Sequence, residues 1–93
     1  MLITQTNRFK KVYKKLHKSQ LADVNKAIET VIMNIHSGEL KKGDLSWLRV
    51  YKFKVLGQLT LLGYSVDDNG EITLTFVDIG PHENFYRDLK KSC

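Results

Sequence analysis

The fold is read most directly from WLRVYKFKVLGQLTLLGYSVDDNGEITLTFVDI, residues 47–79. β-branched and aromatic residues dominate this segment, and two turn sequences divide it, Leu56-Gly57 and Asp68-Asn69-Gly70. Three strands are therefore expected, at about 47–55, 58–66 and 71–79. Because the connections between them are short hairpins, the strands should form an antiparallel meander.

The chain before this segment predicts a strand followed by two helices. Residues 2–5 are short and β-prone, Thr6 can cap a first helix, and Ser19 can cap a longer second helix that stops at Ser37-Gly38. Apolar residues recur at helical spacing in both helices. These stripes are Phe9, Val12, Tyr13 and Leu16 in the first helix, and Leu21, Val24, Ile28, Val31 and Ile35 in the second. The short link between the helices predicts an antiparallel hairpin.

The remaining segments complete an α+β domain. Residues 38–46 are polar and glycine-punctuated, which indicates a loop. Gly80-Pro81 should end the last strand because proline cannot donate to a ladder, and residues 82–91 indicate a short helix with Phe85 and Leu89 in the core. The expected order is β-α-α-β-β-β-α. It forms one domain over residues 1–93, with an N-terminal strand, one helix layer on an antiparallel sheet and a short C-terminal helix.

Positive charge is concentrated at the N-terminus. The chain has a formal net charge of +5, and residues 1–20 contain no acidic residue. The basic residues of this segment are Arg8, Lys10, Lys11, Lys14, Lys15 and Lys18. This distribution favours a polyanionic or acidic partner, although a solvated face is the commoner explanation of a Lys-rich helix taken alone. Charge alone also fits a simple nucleic-acid-binding module.

Several classes of protein are disfavoured by composition. Cys93 is the single cysteine, so no disulfide forms within one chain, as expected in a reducing cytoplasm. The sequence has neither a stretch of about 20 apolar residues nor a signal-peptide pattern, so a soluble cytoplasmic protein without membrane association is expected. His17, His36 and His82 fall on different elements without metal-ligand spacing, and we expect neither a metal nor a cofactor.

Two lysines share one face of the first meander strand. Alternation places Arg49 with Tyr51 and Phe53 on one face, and Lys52 with Lys54 on the other. The lysines then stand about 7 Å apart, so that one could act as a base while the other holds a phosphate. Alternatively, the lysines protect an edge strand against aggregation.

The last predicted helix carries a second group of candidates. His82 and Tyr86 lie one helical turn apart on the same face and could form a proton-transfer pair. Alternatively, His82 caps the helix and Tyr86 packs its ring on the sheet. The planar guanidinium group of Arg87 can bind a phosphate through two hydrogen bonds, but it could instead pair with Glu83.

The whole pattern resembles the RelE/ParE family of type II toxin-antitoxin toxins, over essentially the entire chain. The element order is similar to the compact α+β fold of that family. Tyr51-Lys52-Phe53-Lys54 resembles the strand segment that carries the catalytic lysines of RelE-type mRNA interferases. IGPHENFY, residues 79–86, resembles the Gly-x-His-x-x-x-aromatic end of related interferases that use histidine. Many members carry an arginine early in the second meander strand, whereas residues 58–64 contain none.

The resemblance implies a metal-independent endonuclease that cuts ribosome-bound mRNA and inhibits translation. The RNA 2′-OH would attack the adjacent phosphate, leaving a cyclic phosphate and a 5′-OH. The resemblance implies that Lys52 or Lys54 acts as a base or stabilises charge, and that His82 acts as a general acid or base. It further implies that Tyr86 orients the nucleotide and that Arg87 stabilises the negative charge of the transition state.

Further RNA contacts are expected from Arg49, Lys10, Lys11 and Lys14. ParE-type relatives share the fold but inhibit DNA gyrase without cutting RNA, so gyrase inhibition is the alternative. Either activity implies a cognate antitoxin as partner.

Overall fold

A computed structural model describes residues 1–91 and, within that range, the side chains other than those of Asn84, Asp88, Lys90 and Lys91. Cys93, on which the expectation of a reducing compartment rests, lies outside the described residues. The elements are β1 (Leu2–Gln5), α1 (Asn7–Lys14), α2 (Lys18–Met33), β2 (Glu39–Leu40), a 3-10 turn (Gly43–Leu45), β3 (Arg49–Val55), β4 (Gln58–Asp68), β5 (Ile72–Pro81) and α3 (His82–Lys91). This order confirms the α+β prediction, and β2 and the 3-10 turn occupy the segment expected to be a loop.

The sheet has five strands in the order β1-β5-β4-β3-β2. Strands β3, β4 and β5 form the expected antiparallel meander. β1 departs from the all-antiparallel expectation because it pairs in parallel with residues 73–76 of β5. The chain continues along the same edge into α1, since the Thr6 N–H donates to the Phe76 carbonyl at 3.0 Å. The four residues of β1 contain no sequence feature that indicates whether the strand runs parallel or antiparallel to β5. Its direction follows from the position at which α1 packs.

The first helix starts where expected and the second starts earlier. The Thr6 side chain accepts a hydrogen bond from the Phe9 N–H at 3.1 Å, which confirms Thr6 as the cap of α1. The cap of α2 is His17, so the prediction of Ser19 is wrong. The Gln20 side-chain oxygen accepts from the His17 N–H at 2.9 Å, which stabilises this earlier start.

The end of α2 also differs from the prediction. The helix ends at Met33, with an extended Asn34 as its C-cap, before the predicted stop at Ser37-Gly38. The Asn34 side chain accepts from the His36 N–H at 3.1 Å, and the Ser37 hydroxyl donates to the Asn34 carbonyl at 2.7 Å. Asparagine thus supplies local hydrogen bonds that replace the next helical turn. Ile35 therefore lies beyond the helix, although it still packs against the core.

Apolar side chains are buried on both faces of the sheet. On the hairpin face, which includes Leu62 and Phe76, α1 and α2 cover the larger core. On the α3 face, which includes Leu61 and Val77, the C-terminal helix covers a second core. The molecule therefore has three layers, and the expectation of one helix layer on one sheet is incomplete. Within residues 1–91, no helix is both long and apolar enough to cross a bilayer.

A bulge between β4 and β5 distributes side chains between these faces. Gly63 lies opposite Asp78 and Tyr64 lies opposite Phe76, so Val77 is an extra residue in β5. Consequently Phe76 and Ile79, three positions apart, both reach the hairpin core, whereas Val77 reaches the core under α3. A regular strand would send Phe76 and Ile79 to opposite faces.

Tyr64 ties the end of the helix hairpin to the sheet. Its side chain is completely buried, and its hydroxyl accepts from the Gly38 N–H at 2.8 Å while donating to the Ile35 carbonyl at 2.8 Å. A Cβ on Gly38 would lie 2.6 Å from that hydroxyl oxygen. The glycine is therefore needed for the close approach of the connecting segment to Tyr64.

We predict that Tyr64→Phe lowers the free energy of unfolding by about 1–3 kcal/mol, because the buried Gly38 N–H and the Ile35 carbonyl lose their partner. Tyr13→Phe is the matched control: it removes an exposed hydrogen bond to Asn25 and should cost less than about 1 kcal/mol. Urea denaturation of both variants measures the difference. Equal losses in the two variants would contradict the role assigned to Tyr64.

Candidate active site

The α3 face of β3 carries the two candidate lysines. Val50 is buried in the core under α3, whereas Lys52 and Lys54 are exposed on the same face. Along the β3–β4 ladder, Lys52 lies opposite Leu61 and Lys54 lies opposite Leu59. The predicted alternation is therefore confirmed, and both ammonium groups extend from one side of the sheet.

Helix α3 lies on this face because of its apolar anchors. Phe85 and Leu89 are 1% and 2% exposed, which confirms that they are core residues. A Cβ on Gly63 would lie 2.6 Å from the Phe85 ring and 3.3 Å from Leu48. The absence of a side chain at Gly63 thus lets α3 pack close to the sheet, on the side that carries the lysines.

His82 begins α3 immediately after the last residue of β5. Its exposed side chain lines a shallow cleft of about 240 Å³ together with Leu59 and Glu83. Leu59 is the residue that pairs with Lys54. The structure therefore places His82 and Lys54 on either side of Leu59, at the open end of the α3 face.

Tyr86 lies one turn further along α3 and meets a lysine that was not among the candidates. Its ring packs edge-on against Phe85, with centroids 5.2 Å apart and planes at 86°. The Lys41 ammonium lies over the Tyr86 ring at 5.5 Å from its centroid and 3.7 Å from the Glu39 carboxylate. Lys41 and Glu39 belong to the segment expected to be a loop, so only the fold brings them to α3.

The groups around Lys41 stabilise its protonated, positively charged form. No described group is aligned for a directed hydrogen bond with the buried Tyr86 hydroxyl, but this oxygen is close enough to Lys41 to favour the ammonium form. The Tyr86 hydroxyl and then the Glu39 carboxylate raise the pKa of Lys41, against the opposing effect of burial. Lys41 is therefore a permanent cation beside Tyr86 at neutral pH.

The other candidate cations are distributed over both sides of the molecule. Arg87 is exposed on α3. Arg49 faces away from Lys52, as alternation predicts, and donates to the Gly38 carbonyl at 3.0 Å. The α1 residues expected to contact RNA, Lys10, Lys11 and Lys14, are exposed. Helix α1, however, packs on the hairpin face. The structure thus groups Lys52, Lys54, His82, Tyr86 and Arg87 on one side, and separates Arg49 and the α1 lysines from them.

Two residues near this site carry no signal in the sequence. Lys41 lies in a polar segment with no periodicity, and its contact with Tyr86 spans half the chain. Leu59 is an apolar strand residue like its neighbours, yet it is 40% exposed and stands between Lys54 and His82. Among the described residues, no group of three or more His, Cys, Asp or Glu side chains is arranged to hold a metal ion.

Comparison with known proteins identifies the family. Residues 3–90 match the family model of the ParE-like toxin of type II bacterial toxin-antitoxin systems. The chain belongs to this family. Searches of curated proteins and of solved structures found no significant match. The protein is therefore the toxin component of a type II toxin-antitoxin system, as the RelE/ParE resemblance implies, and its family implies an antitoxin partner.

We predict that Gly63→Ala destabilises the toxin by about 1–3 kcal/mol, because the added methyl group collides with the buried Phe85 ring. Phe85→Leu should restore part of the loss in the double variant, since it removes the ring atom that is struck. Gly80→Ala is the control, because its added Cβ would meet Phe85 at an ordinary 3.8 Å. Chemical denaturation measures all four proteins, and an equal loss in both alanine variants would contradict this packing.

Proposed function

We propose that this toxin is a ribosome-dependent mRNA endonuclease whose active site lies on the α3 face. The observation that carries the proposal is the grouping of exposed Lys52 and Lys54 with His82 at the start of α3. Cationic side chains for a phosphate and an imidazole for proton transfer then stand on one accessible surface. Tyr86 adds an aromatic ring to the same helix, and Lys41 adds a fixed cation beside that ring.

The proposed reaction is a transesterification within the RNA. A base, Lys52 or Lys54 in its neutral form, removes the proton of a 2′-OH, and the oxygen forms a bond to the adjacent phosphorus. The bond from phosphorus to the 5′-oxygen breaks, and His82 in its protonated form donates a proton to that leaving oxygen. The products are a 2′,3′-cyclic phosphate and a 5′-OH. The other lysine and Arg87 stabilise the charge that develops on the phosphate.

Tyr86 and Lys41 are assigned to substrate orientation. A nucleotide base can stack on an aromatic ring, and a cation beside the ring can hold the phosphate that follows the base. The strand β4 lacks the arginine that many RelE/ParE members carry early in this strand. Lys41 supplies positive charge on the same face from a different element.

The alternative is a gyrase inhibitor in which the same lysines and α3 form only a protein interface. The observation that favours it is the family model itself, which is that of ParE-like toxins. ParE-type relatives inhibit gyrase, so the biochemical target must be tested directly.

We predict that the purified toxin cuts a reporter mRNA in a reconstituted translation system only when ribosomes translate it, as mapped by primer extension. His82→Ala should lower the cleavage rate by about 10²–10⁴-fold, the usual effect of removing a general acid or base. His36→Ala is the matched control, because His36 is also exposed but follows Ile35, which packs in the core on the hairpin face. Intact mRNA in the presence of folded toxin, together with loss of gyrase supercoiling activity, would select the alternative.

The lysine pair gives a separate prediction. Lys52→Ala/Lys54→Ala should abolish detectable cleavage, because the variant lacks both the base and the adjacent charge. Lys10→Ala/Lys11→Ala removes the same charge from α1 and should retain most of the activity. Circular dichroism checks that both proteins are folded. Full cleavage by the first variant would remove Lys52 and Lys54 from the mechanism.

A further inference from the structure

The first strand, β1, forms one edge of the sheet. Within the described chain, β5 is the only strand beside it. All residues of β1 are exposed, and Leu2 and Ile3 keep 56% and 50% of their surface accessible. Residues 1–7 include no charged side chain and no proline. Because it lacks the lysine and proline residues that commonly protect sheet edges, β1 is a template for a further strand.

The pairing with β5 determines which peptide groups of β1 point outward. The Thr6 N–H donates to the Phe76 carbonyl at 3.0 Å, so the peptide groups of Thr6 point toward β5. Because hydrogen-bonding direction alternates along a strand, those of Thr4 also point toward β5, and those of Ile3 and Gln5 point away. The outer edge therefore offers the N–H and C=O groups of Ile3 and Gln5 to a new strand.

The same register assigns the side chains of β1 to the two faces of the sheet. Ile3 pairs with Leu74 and Gln5 pairs with Phe76, and both partners belong to the core on the hairpin face. Ile3 and Gln5 thus lie on the hairpin face, and Leu2 lies on the α3 face. Each face of this edge therefore carries an exposed apolar side chain.

A cleft of about 290 Å³ opens beside β1 on the hairpin face. Its walls include Ile3 and Gln5 from the strand, and Phe9, Tyr13 and Ile28 from the two helices. Most of these side chains are apolar or aromatic. The cleft is therefore suited to a flexible apolar side chain that arrives from the direction of the free edge.

We propose that the outer edge of β1 pairs antiparallel with β1 of a second copy of this chain, in a dimer whose two-fold axis passes beside Ile3. In this register the two Ile3 residues exchange both hydrogen bonds, and Met1 of each copy lies opposite Gln5 of the other. Residues directly opposite each other share a face, so each Met1 side chain enters the cleft of the other copy. Methionine is flexible enough to fill such an irregular apolar space.

A second copy is the occupant that this edge fits best. One sequence supplies both the cleft and the exposed methionine that fills it, and Met1 is 54% exposed in the single chain. A two-fold interface requires this kind of self-complementarity. A nucleic acid would find no cationic side chain along residues 1–7. The net charge of +5 opposes association of two copies, but it is carried by side chains outside this segment.

The interface is small, so the dimer is reversible. Residues 1–5 and the cleft are fewer than the roughly 20–30 residues that each partner contributes to a standard interface. Association at micromolar or higher concentrations is therefore expected.

The dimer would leave the α3 faces accessible. A two-fold axis perpendicular to the sheet keeps both α3 faces on the same side. Seven strand spacings separate the two β3 strands, which places them roughly 34 Å apart. Lys52 and Lys54 of each copy stay exposed, and the dimer presents this surface twice.

Sedimentation velocity of the purified full chain, from micromolar to millimolar concentration, tests the association. We expect a monomer–dimer equilibrium that added salt shifts toward the dimer, because salt screens the repulsion between two basic copies. Met33→Gln is the control for non-specific apolar association, since Met33 is 88% exposed at the end of α2. This variant should dimerise like the unmodified chain.

Opposite charges on β1 identify the strand as the contact. In the proposed register Leu2 of one copy lies opposite Thr4 of the other. Leu2→Lys/Thr4→Lys and Leu2→Glu/Thr4→Glu therefore each place like charges opposite each other, and each variant alone should be monomeric. An equimolar mixture of the two should form a heterodimer. Circular dichroism of the separate variants checks that both are folded.

Hydrogen exchange of the unmodified chain reports on the register. The Ile3 and Gln5 amides should exchange about tenfold more slowly when about nine-tenths of the chains are dimeric, because exchange then proceeds through the remaining monomer. The Thr4 amide already faces β5 and should change little, so it is an internal control.

Three results would overturn the proposal. They are a monomer throughout the concentration range, no heterodimer in the mixture of the two folded variants, and a dimer whose Ile3 and Gln5 amides exchange as in the monomer. The last result would assign self-association to another surface. None of these measurements involves RNA cleavage or gyrase, so their failure and the failure of the proposed nuclease activity are distinguishable.

Discussion

The ring of Phe85 packs against the backbone of Gly63, and this contact fixes α3 on the sheet. The close approach is possible because Gly63 has no side chain, and it is held because Phe85 is almost fully buried. Since α3 follows β5 without a loop, the same contact sets the direction in which the helix leaves the sheet. His82 and Tyr86 take their positions on the α3 face from this packing.

The two faces of the sheet divide the charge of the toxin. Lys52 and Lys54 project beside α3, whereas the lysines of α1 lie on the solvent side of the opposite layer. Exposed charges further apart than the Debye length of about 8 Å act largely independently at physiological ionic strength. The N-terminal lysine cluster therefore contributes to the overall attraction of polyanions, but the chemistry proposed here depends on the smaller group at β3 and α3.

Much of the fold follows from local sequence patterns, since alternation predicts the meander and the faces of Lys52 and Lys54, and helical spacing predicts both helices of the hairpin. The differences arise where short-range patterns compete or carry no information. Asn34 ends α2 early because its side chain makes local hydrogen bonds, and the parallel direction of β1 depends on the packing of α1. The site was predictable where it lies within one element. The contact between Lys41 and Tyr86 joins distant segments, and no pattern along the chain indicates it.

We propose that the α3 face, and not the helix hairpin, carries the activity of the toxin. The most direct measurement is the growth of bacteria that express the toxin without an antitoxin, with soluble protein levels matched between variants. Lys52→Glu/Lys54→Glu is compared with Lys10→Glu/Lys11→Glu, which changes the net charge equally. We expect that the first variant no longer inhibits growth and that the second still does. Growth inhibition by the first variant together with loss of inhibition in the second would instead assign the activity to the helix hairpin.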